Sequence, residues 1–185
     1  MTGARELHTR RLRMRQWQDS DRQPFATMNS DAEVMRHFPA TQDAAQSGAA
    51  VDRFFAHLET TGWGLWALEF EGEFIGFTGL ASPRFEAPFT PRVEVGWRLA
   101  RSAWGVGLAT EAATAAVQFG FTELELTEIV SFTTVANERS RSVMRRLGMT
   151  HDPADDFEHP ALASDSPQRP HVLYRLANPA TFHAR

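Results

Sequence analysis

Apolar and polar positions along the chain change period several times, and each change predicts an element. Between residues 6 and 16 the period is two: Arg11, Arg13 and Arg15 fall on one face, Leu12 and Met14 on the other. That is a half-buried strand with a charged outer face, as an edge strand carries. Asp19 or Ser20 is placed to cap a helix reaching about Met28, and a second short helix is expected from Asp31 to His37, before Pro39. Val51, Phe54, Phe55 and Leu58 then recur at helical spacing in a stretch from Thr41 to Leu58, which Thr60, Thr61 and Gly62 end. Two strand-like runs follow, Gly64 to Phe70 and Phe74 to Leu80, with a hairpin turn at Glu71-Gly72-Glu73. A proline-punctuated loop from Ser82 to Pro91 leads to a third run, Val93 to Leu99, then a Gly-x-Gly turn and an alanine-rich helix from about Leu108 to Phe121. A strand from Glu128 to Val135, a helix from Arg139 to Leu147 closed by Gly148, a loop-rich stretch and a last strand from His171 to Leu176 complete the order. No repeat or linker interrupts it, so residues 1–185 are expected to form a single mixed α/β domain.

Composition narrows the chemistry. With 42% hydrophobic and 23% charged residues the chain is neither disordered nor fibrous, and a net charge of −4 argues against a nucleic-acid partner. All 19 basic residues are Arg, which excludes a catalytic lysine, a Schiff base and a Walker-type Lys. The absence of Cys excludes thiolate catalysis, disulfides and Cys-ligated zinc. No segment approaches the ~20 apolar residues of a membrane helix. Met1 to Arg15 also lacks the apolar stretch of a signal peptide. A cytoplasmic protein without a membrane partner is expected.

The most informative segment runs from Val93 to Glu111, as strand, glycine turn and helix N-terminus. Gly105 and Gly107 let the backbone approach a ligand, and the first amides of the following helix lack internal acceptors, which makes an anion site suited to a pyrophosphate. A tight turn with nothing bound has the same pattern. It is not the dinucleotide fingerprint, since the third glycine position is Thr110.

These residues resemble the GNAT superfamily of acyl-CoA-dependent N-acyltransferases, and within it the RimJ/RimL-like branch. The superfamily's pyrophosphate loop, Q/R-x-x-G-x-G/A, falls on Ser102-Ala103-Trp104-Gly105-Val106-Gly107, with the branch's tryptophan-glycine-x-glycine at Trp104 to Gly107. A second block begins at Asn137-Glu138-Arg139-Ser140 and ends in Leu147-Gly148-Met149. The hairpin over 62–80 and the closing His171-Val172-Leu173-Tyr174 are similar too, so the likeness spans roughly residues 8 to 177. It implies a central mixed, mostly antiparallel sheet flanked by helices, with a V-shaped splay between middle strands that admits the pantetheine arm. It implies acetyl-CoA as co-substrate, no metal, and acetyl transfer to a primary amine by direct attack in a ternary complex. Two positions depart from the family. Ser102 stands where a Gln or Arg is usual, and Met144 where many members carry a tyrosine that protonates the departing thiolate. Ser140 lies one turn before Met144, and in RimL-like enzymes a serine here is the proposed donor.

The resemblance makes Glu94 the first choice for general base, since it shares a strand face with Gly96 and flanks the acetyl group. An exposed residue paired with Arg92 or Arg98 is the alternative. The cofactor positions are Trp97, Arg98 and Leu99 of the strand, where a bulge would present an oxyanion donor, then Trp104, Gly105, Val106, Gly107, Leu108, Ala109 and Thr110 of the loop, Asn137, and Arg146. Asn137 also reads as a plain helix cap, Ser140 as an ordinary helix serine, and the arginines over 139–146 as a solvated face. Trp63, Phe85 and Glu86 are candidates for the amine pocket, with Phe89 and residues 38–43 nearby, and packing explains the aromatics equally. The His151 to His159 run is expected to be a solvated acidic loop, not a metal site. The acceptor is a protein N-terminus or a small amine, a homodimer is compatible with the branch, and a non-catalytic acyl-CoA-binding module is the competing reading.

Overall fold

A computed structural model of the protein describes residues 3–179. The amino-terminal segment pairs β1 (Leu7–His8) with β2 (Leu12–Arg15) and leads through a short 3-10 turn into α1 (Arg22–Ser30). α2 (Ala44–Thr61) starts where Asp43 and Gln46 form a capping box, and ends at Gly62, whose φ of 78° is the left-handed cap. The hairpin of β3 (Leu65–Phe70) and β4 (Glu73–Ala81) turns through Glu71 and Gly72, at φ 53° and 84°. Then come β5 (Val93–Leu99), α3 (Leu108–Thr122), β6 (Glu128–Thr134), α4 (Glu138–Arg146), the short β7 (Thr150–His151) and β8 (Phe157–Glu158), and β9 (Pro170–Ala177).

The nine strands form one sheet in the order β1-β2-β3-β4-β5-β6-β9-β7, with β8 also paired to β9. Every pair is antiparallel except β5 with β6. Side chains alternate across the sheet and sort the helices onto two faces. Phe77 packs against Phe25 of α1 and Phe54 of α2, with Trp17 among them. On the other face Trp66 meets Phe119 of α3, and Gly120 lets α3 approach Leu80 and Ile129. α4 lies on the α3 face, where Arg141 donates to the hydroxyl of Tyr174 in β9.

Several expectations are corrected. β2 is not the edge, because β1 lies outside it, and Arg15 is buried at 4% exposure. Its guanidinium binds Asp21 through two bonds of 2.8 and 2.9 Å and Glu69 at 2.7 Å, which satisfies the charge. Residues 32–37 form turns instead of a helix. Asp31 caps their start, accepting from the amides of Glu33 and Val34, and Met35 N–H bonds back to the Asp31 carbonyl, but Phe38 N–H tightens to the Met35 carbonyl and no regular helix follows. The bulge expected in β5 is absent. Its register with β4 runs unbroken from Gly76↔Leu99 to Ala81↔Glu94, and the irregularity sits between β3 and β4 at Leu68/Glu69.

Candidate active site

β5 and β6 pair only at Val93↔Ile129 and Glu94↔Val130, although both strands continue for several residues. At the vertex Ser131 Oγ donates to the carbonyl of Val95 at 2.9 Å, replacing the next ladder bond with a side chain. Beyond it the strands diverge. Ala100 N–H donates to Ile75 of β4, so alternation also turns the amides of Arg98 and Gly96 to β4, and those of Val95, Trp97 and Leu99 to the splay. The Leu99 carbonyl is already taken by the indole N–H of Trp104 at 2.8 Å. The Trp97 backbone is therefore the group on β5 best placed to serve a guest in the splay. The Arg98 amide faces β4 and not the splay.

The open end of the splay faces two helix N-termini. Gly105 and Gly107 hold φ of 80° and 85°, and space is open above Gly105. Gly107 caps α3, and the amides of Leu108, Ala109 and Thr110 form its unsatisfied first turn. The loop is fastened from behind. Arg11 donates to the Val106 carbonyl at 3.0 Å and to the Glu111 carboxylate at 2.7 Å, which Thr9 also binds. Arg11 is thus a brace for this loop. These positive-φ glycines and free amides fit a pyrophosphate.

On the opposite face, toward α1 and α2, three same-face residues of β5 lie in a row: Glu94, Gly96 and Arg98. Nothing lies within 4 Å of a Cβ built on Gly96. Glu94 keeps an edge of solvent contact but lies deep in the molecule, without an ion pair to Arg92 or Arg98. Burial pushes its carboxyl up to about 7. The turns over 31–38 cross the open end. Asp31 reaches Arg101 after β5 at 3.6 Å, Glu33 reaches Arg139 of α4 at 3.4 Å, and His37 meets Thr134 of β6 at 3.2 Å.

A family profile described as Acetyltransferase (GNAT) domain matches residues 11–150. The chain belongs to the GNAT acetyltransferase family. Membership makes it an acyltransferase, and GNAT acetyltransferases use acetyl-CoA. The FsC-acetyl coenzyme A-N(2)-transacetylase of Aspergillus fumigatus is 36% identical over 155 residues, 78% of this chain, and the chain spans 65% of that relative's length. An acetyltransferase structure from Agrobacterium tumefaciens superposes with TM-score 0.74 at 25% identity, over 94% of this chain and 95% of that one. RimL, a ribosomal L7/L12 α-N-protein acetyltransferase solved with coenzyme A, shares the fold with TM-score 0.73 at 15% identity, covering 94% and 98% of the two chains.

In this GNAT chain the remaining predicted residues fall in three places. Trp104, besides its bond to Leu99, carries the Arg139 guanidinium 4.4 Å over its ring, so it builds the turn from β5 into the loop. Asn137 caps α4, accepting from the Ser140 amide at 3.3 Å and donating to Thr133 at 2.8 Å. Ser140 is half-buried one turn before buried Met144, and its hydroxyl makes no hydrogen bond among the described residues. Tyr174 lies 3% exposed, with its hydroxyl committed to Arg141 and its ring stacked on His151, so it does not stand in for the missing tyrosine. Arg146 is exposed in the last turn of α4, two turns beyond Arg139 on the same stripe.

The acceptor candidates are not brought together. Trp63 stands before β3, edge-on to His57 of α2. Phe85 joins Phe89, Phe132, Phe157 and His159 in a cluster on the Glu94 face of β6 and β9. Glu86 points outward from its loop and is exposed. In the acidic run, His151 bonds Asp156 at 2.7 Å, Asp155 pairs with Arg175 at 2.7 Å, Glu158 pairs with Arg169 at 2.6 Å, and Asp152 accepts from the Ala154 amide at 2.9 Å, so each carboxylate has a partner within the protein. Sequence reasoning missed Ser131, a buried hydroxyl between the apolar Val130 and Phe132, and Arg11, whose partner Glu111 is 100 residues away.

Proposed function

We propose that this protein moves an acetyl group from acetyl-CoA to a primary amine by direct attack in a ternary complex. The observation that carries this reading is an unpaired, half-buried Glu94 beside the open surface of Gly96, at the vertex of a splayed parallel strand pair. Acetyl-CoA supplies the activated thioester. The loop amides from Gly105 to Thr110 bind the pyrophosphate, with Arg146 available for a further phosphate and Arg139 holding Trp104 in place. The Trp97 backbone aligns the arm within the splay and donates to the thioester oxygen as negative charge builds there. Glu94 accepts the amine proton from the α1/α2 face, directly or through water, and a carboxyl near 7 is matched to that work at neutral pH. Ser140, at the start of α4 on the other face, protonates the thiolate as it leaves. Because the sheet separates the two groups, acceptor and donor approach from opposite sides. The N(2) transfer in the Aspergillus relative's name supports a nitrogen acceptor.

Calorimetric titration with acetyl-CoA, followed by thiol release against a panel of amines and N-terminal peptides, tests the reading. Binding with turnover that Glu94→Gln abolishes supports it. Binding without turnover, indifferent to Glu94→Gln, would instead mark a non-catalytic acyl-CoA-binding module.

A further inference from the structure

Arg98 is a half-buried cation without an anion. Its Nη1 donates to the Asn29 carbonyl oxygen at 2.8 Å, but no carboxylate among the described residues reaches it. Nε is buried with no acceptor, and Nη2 has none either. The guanidinium lies 4.1 Å from the Phe38 ring centroid and 5.5 Å from that of Phe77, and burial holds it down to about 10. The contrast with Arg15 is direct. That guanidinium, the less exposed of the two, has every nitrogen on a partner and two carboxylates against it. The two ring contacts and the single bond to Asn29 offset part of the cost of placing a guanidinium between Phe38 and Phe77, but none of them neutralises its charge.

The free edge of Arg98, Nε and Nη2, has the geometry that takes a carboxylate through two parallel bonds. Arg98 also shares its strand face with Glu94, roughly 13 Å along the backbone at the usual rise per residue, with the open surface of Gly96 between them. The two do not pair with each other. The pyrophosphate loop lies on the α3 side of the sheet, so the Arg98 face is the acceptor's.

We infer that Arg98 receives a carboxylate of the acceptor, so that the substrate is a free amino acid whose amine lies at Glu94 and whose acid lies at Arg98. This rests on the acetyltransferase reading above and narrows it. A protein N-terminus offers an amide where the acid is needed, and a polyamine offers a second cation.

The test is acetyl-CoA-dependent thiol release by the full chain with matched pairs: L-amino acids and 4-aminobutyrate against their carboxamides. The amide's less basic amine biases the comparison against the acid, so a preference for the acid has to come from the carboxylate. The expected result is a kcat/KM ratio of acid to amide of at least about tenfold, carried by KM. Arg98→Gln and the better-packing Arg98→Met bring the ratio to one, and Arg98→Lys restores part of it. A purely structural role for Arg98 would lower thermal stability and leave the ratio unmoved. A wild-type ratio of one or below, or a ratio unchanged in either variant, overturns the inference while leaving the enzyme reading intact. If no member of the panel is acetylated, saturation-transfer NMR of the same pairs on the CoA-loaded protein decides. Acid binding lost in Arg98→Gln sustains the inference, and equal or absent binding of acid and amide overturns it. Failure to bind acetyl-CoA at all removes both readings.

Discussion

Replacing Glu94 by Gln is expected to cost activity and add stability, with a pH signature in each. Burial moves the carboxyl from 4.5 to about 7. At about 1.4 kcal/mol per unit this is a penalty on the ionised form of about 3 kcal/mol, an upper figure because solvent reaches the edge of the side chain. The folded state binds this proton more tightly than the unfolded chain, so the contribution to stability falls as pH rises from 4.5 to 7 and stays low above that. Glu94→Gln carries no such charge. It should match wild type near pH 4.5 and exceed it by about 1–3 kcal/mol at pH 8, or about 2–12 °C in Tm for a chain of this size. Catalysis should move the other way, with kcat down on the order of 100-fold or more and the limb near pH 7 missing from the rate profile. The acceptor amine's own ionisation remains in both profiles, so the difference between them isolates Glu94. Urea melts at the two pH values and thiol-release rates from pH 5.5 to 8.5 measure both effects. Equal stabilities of variant and wild type at pH 8, or a variant within a few-fold of wild-type kcat, would refute the assignment of an unpaired, half-buried base.

Three further substitutions probe the other parts. Gly107→Glu forces a side chain onto a φ of 85° and sets a carboxylate in an anion site; acetyl-CoA affinity by calorimetry should fall on the order of 100-fold, about 2.7 kcal/mol. Ser140→Ala should lower kcat by about tenfold or more and leave acetyl-CoA affinity unchanged, and an unchanged kcat would make it an ordinary helix serine. Asp21→Asn strips one carboxylate from buried Arg15, and urea melts should show a loss of about 3 kcal/mol, at the low end for a broken buried pair because Glu69 remains.

Most elements were legible because their signals are local. The Gly62 stop of α2, the Glu71-Gly72 hairpin turn and the glycine turn before α3 each act within a few residues, and the strand and helix periods need no distant partner. The misread elements depend on remote neighbours. Arg15 looks like an outward charge until Asp21 and Glu69 close on it, and nothing local announces that β1 covers the edge. The splay was expected only from the family likeness; in the chain itself its one local trace is Ser131, whose hydroxyl takes the carbonyl where a parallel ladder stops.

The site divides along the same line. The glycine loop is backbone chemistry and can be read from its residues alone, whereas the acceptor face is a matter of which side chains turn away from the splay. Period two puts Glu94, Gly96 and Arg98 together as firmly as it puts Val95 and Leu99 in the core, but it does not say which face meets α1 and α2. Phe38, Phe77 and Asn29, from three separate segments, supply that answer by enclosing Arg98 without neutralising it. Charge balance then separates Arg15 and Arg98 by function. Arg15, with its carboxylates in place, belongs to the fold, and Arg98, on the strand face that Glu94 shares and with no acceptor at Nε, waits for an anion that the described residues do not provide.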